Sequence, residues 1–182
     1  MFKSIPLFVL AAAIPVGAQQ AQQTAPPPAP PASQMAQTAK TAPAISDSDF
    51  LQQAALAGKL EVDLAQIAQT KSKNDKVKAI AKKIEADHTD ANAQLTLIAD
   101  RKDVALPGLT DEQKAAKDKF RDMSDAEFDK AWLAQMVTDH EKAIELFTKG
   151  TSATDATIRT FAESKLPALK EHLKQVKELA GS

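Results

Sequence analysis

Apolar residues recur at steps of three and four through four long stretches of the chain, the period of a helix with one face turned inward. The first stretch opens after Ser46 and reaches about Lys71, carrying Phe50, Ala54, Ala57, Leu64 and Ala68 on one stripe. The second opens after Asn74, a residue suited to cap a helix start, and runs to about Arg101 with Val77, Ala81, Ile84, Ala91, Leu95 and Ile98. A third begins at Ser124, where Ser124 and Glu127 have capping-box spacing, and ends at Gly150. Its inward residues are Phe128, Leu133, Met136, Val137, Ala143, Ile144 and Phe147. The fourth spans about Thr154 to Ala180 with Ile158, Phe161, Leu169, Val176 and Leu179, and Pro167 inside it predicts a kink. Between the second and third, Thr110 and Gln113 open a short helix to about Arg121 after a loop holding Pro107 and Gly108. No alternating apolar and polar stretch competes, so the expected fold is all-α: a four-helix bundle with a short extra helix in the connection between helices 2 and 3.

The chain before Ser46 has a different character. Lys3, an apolar stretch of 14 residues from Ile5 to Ala18 and the small pair Gly17-Ala18 read as a signal peptide over residues 1–18, cleaved near Ala18. That stretch is shorter than the roughly 20 residues of a membrane-spanning helix. Residues 19–45 contain 8 Ala, 6 Pro and 6 Gln with Lys40 as the lone charge, the composition of a disordered linker. The expected organisation is therefore an exported protein, periplasmic or extracellular, with its folded part at 46–182 and no transmembrane anchor after processing.

Composition narrows the chemistry. The absence of cysteine excludes a disulfide scaffold, thiolate metal sites, a cysteine nucleophile and a lipid anchor on cysteine. With 23 basic and 24 acidic side chains there is no basic surplus to grip nucleic acid. No phosphate-cradling glycine loop, nucleophile elbow or His-Glu-x-x-His motif is present, so a non-catalytic protein is the expectation. The lysines between Lys71 and Lys83 are interleaved with apolar positions and read as a solvated helix face. Trp132 and Met136 read as core, and Gly58 as a point of close helix approach.

One anomaly stands out, because all three histidines interrupt apolar stripes. His88 lies between Ile84 and Ala91, His140 between Met136 and Ala143, and His172 between Leu169 and Val176. On the first helix the corresponding position is Glu61, between Ala57 and Leu64. Each long helix thus sends one potential ligand inward. If helices 2 and 3 run parallel, joined by a lengthwise crossover, the four come within about 9 Å of one height, against about 12 Å for an up-down-up-down arrangement. The crossover is the better fit.

Asp49-Phe50 with Gly58 and Glu61, Asp87-His88, Phe128-Asp129 with Asp139-His140, and Leu166-Pro167 with Leu169 and His172 together resemble a family of secreted bacterial ferritin-like bundles described as predicted outer-membrane proteins. The resemblance covers residues 47–180. It implies a ferritin-like fold, an exported location and Glu61, His88, His140 and His172 as a shared polar signature, and it supplies no reaction. Only Glu85 with His88 has the Glu-x-x-His spacing of a di-iron carboxylate centre, so that centre is not expected as such.

Three imidazoles and one carboxylate suit a single divalent ion, zinc, copper(II) or iron(II). Glu85, Asp87 and Asp139 are then candidates to support the ligands from outside. The same four residues also suit a metal-free polar layer that fixes helix register, the alternative function being a structural or interaction module of the envelope. Ferritin-like metal oxidation is a further alternative.

Overall fold

The structure is a computed structural model that describes residues 45–181. The expected signal peptide, its cleavage point and almost all of the linker fall on residues outside that range. Among the described residues there are five helices and no strands: α1 (Asp47–Lys71), α2 (Asp75–Asp100), α3 (Asp111–Asp122), α4 (Asp125–Gly150) and α5 (Ala156–Ala180). None is long and apolar enough to cross a membrane.

Local chemistry sets these boundaries. Ser46 and Asn74 accept hydrogen bonds from the backbone N–H groups of Asp49 and Lys76, each at 3.0 Å, and so cap α1 and α2. Thr110 and Gln113 form the expected reciprocal capping box of α3. Ser124 departs from expectation: its hydroxyl donates to the Glu127 carboxylate at 2.7 Å and caps no backbone N–H. Asp155 accepts from the N–H groups of Thr157 and Ile158, which starts α5 just after Thr154, where the sequence pattern put it. That helix is unbroken through Pro167.

Gly150 closes α4 for a reason other than the left-handed turn usual at a helix end. No glycine has a positive φ among the described residues. A Cβ on Gly150 would lie 2.4 Å from the Phe50 ring, so the position is held by packing.

Two apolar clusters define the topology. At one end the start of α1 (Phe50, Leu51) meets the end of α2 (Leu95, Ile98), the end of α4 (Phe147) and the start of α5 (Phe161). Phe50, Phe147 and Phe161 pack here with ring centroids 5.3 to 6.5 Å apart. At the other end the close of α1 (Leu64, Ala68) meets the start of α2 (Val77, Ile80), the start of α4 (Phe128, Trp132) and Val176 near the end of α5. Hence α1 and α5 run one way, and α2 and α4 the other. The second and third long helices are parallel.

The connection between them must therefore travel the length of the bundle, and polar contacts pin it along α1. Gln52 donates to the carbonyl of Ala105 at 3.3 Å, Lys59 to that of Pro107 at 2.8 Å, and Lys117 pairs with Asp63 at 2.9 Å. Farther along, Lys71 donates to the carbonyl of Arg121 at 2.9 Å. Both sequences of partners rise together, so α3 is parallel to α1. Trp132 ties the far end by donating its indole N–H to the buried carbonyl of Leu64 at 3.0 Å.

Candidate metal centre

Between the two apolar clusters lies a polar layer. Glu61 of α1, His88 of α2, His140 of α4 and His172 of α5 are all buried, with His140 at 0% and Glu61 at 2% exposure. Each sits near the middle of its helix, because the stripe that carries it continues into the core on both sides. The heights agree only because α2 and α4 are parallel.

The three histidines converge. One ring nitrogen from each lies within 4.8 Å of the other two, and ring centroids are 5.3 to 5.7 Å apart. Glu61 does not join that group. Its carboxylate faces the Nδ1 sides of two rings, with Oε2 3.1 Å from His88 Nδ1 and Oε1 3.5 Å from His140 Nδ1. Neither oxygen receives a hydrogen bond, because the ring N–H directions miss them. Four buried side-chain polar atoms lack a partner among the described residues, and three belong to this layer: both Glu61 oxygens and His88 Nε2. Natural interiors pair almost all such atoms with protein groups, water or an ion, so this layer concentrates the unpaired polar atoms of the described core.

The tautomers follow from the partners. His140 Nδ1 is 2.9 Å from the carbonyl of Met136, an acceptor only, so Nδ1–H donates there. His172 Nε2 is 2.8 Å from the Asp87 carboxylate, so Nε2–H donates there. Both rings then present lone pairs on their other nitrogens, His140 Nε2 and His172 Nδ1, which lie 3.3 Å apart. Two acceptors at that distance need a proton or a cation between them.

Burial sets the protonation. It depresses all three imidazoles, His88 and His172 to about 4, with the ionised Asp87 pulling His172 the other way. Near neutral pH the rings are uncharged, the state that binds metal. Burial also pushes the Glu61 carboxyl up to about 7, against a downward pull from His140 and with an upward push from Asp139.

The supporting acids sort differently from their order in sequence. Asp87 reaches across to His172 on α5 and not to its neighbour His88. Burial is the largest influence on Asp87 and raises it, but hydrogen bonds from Lys83 at 2.6 Å and from His172 prevail and hold it low. Sequence reasoning read Lys83 as part of a solvated helix face, and its place four residues before Asp87 was the available signal for the ion pair. Glu85 lies outside the layer, accepting from Gln66 and Gln69 at 2.8 and 2.6 Å. Asp139 touches none of the imidazoles; it accepts from Gln135 and lines a cleft of about 440 Å³ between α1 and α4 whose wall includes Glu61. Gly58 is filled from α2, since a Cβ there would lie 2.2 Å from the Asn92 side-chain oxygen. Asn92 follows His88 by one turn and was not singled out from the sequence.

Comparison with known proteins adds a family and a fold. A family model described as Domain of unknown function (DUF4142) matches residues 30–179. No curated protein matches the chain. Among solved structures, the crystal structure of a DUF305 fragment from Deinococcus radiodurans is similar, with a TM-score of 0.65 and 14% identity over 74% of this chain and 94% of that one. At that identity the likeness speaks for the helical fold alone.

Proposed function

This chain belongs to the DUF4142 family of unknown function, and we propose that it holds one divalent transition metal, zinc, copper(II) or iron(II), at His88, His140 and His172. The observation that carries this reading is the pair of lone pairs 3.3 Å apart on His140 Nε2 and His172 Nδ1. Two nitrogens bound at about 2.05 Å to one tetrahedral ion stand about 3.3 to 3.4 Å apart. Those two nitrogens already have the spacing of two ligands on one ion. Asp87 takes the place that a carboxylate holds behind a metal-bound imidazole, where it orients the ring and raises its basicity, and Glu61 sets a second carboxyl beside the Nδ1 atoms of the other two rings.

The parallel α2 and α4 support the ferritin-like reading of the bundle, and the apolar stretch at residues 5–18 supports export to the periplasm or beyond. The donor set differs from a di-iron carboxylate centre, which argues against ferritin-like iron oxidation and for a binding role.

The test is metal content. Untagged protein dialysed against zinc or copper(II) and then against buffer should retain about one ion per chain by elemental analysis, and His140→Ala should retain none. Retention of no ion by the wild type leaves a polar layer whose work is to fix helix register.

A further inference from the structure

Three imidazoles leave a divalent ion short of the four donors it needs, and Glu61, the remaining polar side chain of the layer, is turned to the Nδ1 side of two rings. Space also adjoins the centre. A cavity of about 40 Å³ is lined by His88, His172, Glu61 and Asp87 and by apolar side chains of all four long helices, among them Ala57, Ala91, Phe147 and Ala168. His140 lies outside that lining and is fully buried. A volume of that size accommodates a small ligand of a few atoms. Asn92 and Lys165 complete its polar lining, and Lys165 is held by Asp90 at 3.3 Å and lies 5.6 Å from the centre of the Phe161 ring.

We propose that this cavity is a ligand pocket of the metal: the bound ion keeps one exchangeable position that faces the cavity and takes a small monodentate ligand of two or three atoms, such as dioxygen or a linear triatomic anion. The inference rests on the metal reading above. The walls set the class of ligand. They are largely apolar and the volume they enclose is small, which disfavours chelating or bulky groups and leaves the ion and the polar groups beside it to hold the ligand. Ala91 on α2 and Ala168 on α5, whose side chains end at Cβ, both line it and leave its volume free.

The experiment uses azide on protein loaded with one equivalent of copper(II), copper content being measured first. Azide displacing a copper-bound water should produce a charge-transfer band that saturates at one azide per copper. Ala168→Leu should retain one copper and bind azide about tenfold or more weakly, because the leucine occupies the pocket. If that variant does not fold, Ala91→Leu fills the same space from α2. A chain that holds one copper but develops no azide band, or an azide affinity unchanged by both leucines, overturns the pocket while the metal site stands. A chain that holds no copper removes both.

Discussion

Replacing Glu61 with Gln should make the metal-free protein more stable and the metal complex weaker. The folded protein holds the Glu61 proton up to about pH 7, whereas an unfolded chain releases it near 4.5. Between those values the unfolded state binds fewer protons, so the wild type loses stability as pH rises. The loss is complete above pH 7, where an interval of that size is worth about 3 kcal/mol; at pH 5 it is below about 1 kcal/mol. Glutamine keeps the shape and carries no charge to bury. Wild type and Glu61→Gln in the presence of a chelator should therefore differ by less than about 1 kcal/mol in urea unfolding at pH 5, and by about 3 kcal/mol at pH 8 in favour of the variant. In melting temperature the gap at pH 8 is roughly 10 °C. His88 and His172, whose lowered values give both proteins the opposite slope at acid pH, largely cancel in the comparison. Metal affinity should move the other way, falling about 10- to 100-fold when the carboxylate beside His88 and His140 loses its charge. A gap independent of pH, or a variant less stable than wild type at pH 8, would refute the assignment of Glu61 as a buried carboxyl held against its own ionisation.

Asp87→Ala removes the acceptor that fixes the His172 tautomer and should weaken metal binding about tenfold or more in a competition titration with a chromophoric chelator, while the helical circular dichroism stays unchanged. Trp132→Phe leaves the Leu64 carbonyl without its indole donor and should cost about 1 to 3 kcal/mol in urea unfolding followed by circular dichroism; a neutral result would mean that this bond does not tie α4 to α1. Gly150→Ala drives a methyl into the buried Phe50 ring and should destabilise by about 1 to 3 kcal/mol, whereas Gly58→Ala meets only the movable tip of Asn92 and should fall within about 1 kcal/mol of wild type. Equal effects of the two alanines in thermal melts would contradict that distinction.

The helices were legible in the sequence because both ingredients of a boundary are local: a stripe that starts or stops, and a side chain such as Asn74 or Thr110 that can serve the first free N–H groups. Ser124 shows the limit. Spacing allows a capping box there, but the hydroxyl finds a better acceptor in the Glu127 carboxylate, and that competition is invisible in a motif. The inward placement of the histidines followed from periodicity, and their shared height favoured the parallel α2 and α4 seen in the two apolar clusters. Rotation of each helix about its axis did not follow. A few tens of degrees decide whether Glu61 faces the common point of the imidazoles or the backs of two rings, and whether Asp87 serves His88 or His172. The Met136 carbonyl, the Lys83 bond and the Asn92 side chain over Gly58 depend on those same rotations.

The lengthwise connection that carries α3 has a kinetic meaning. His88 precedes it and His140 follows it, while His172 arrives only when the last helix turns back toward α2. No two of the three imidazoles share a hairpin with the third, so a half-assembled chain offers an ion at most two nitrogens. Chelation by all three would coincide with the final docking of the two hairpins, and an ion captured at that moment would act as a latch on the finished molecule, slowing its opening more than it hastens its closure.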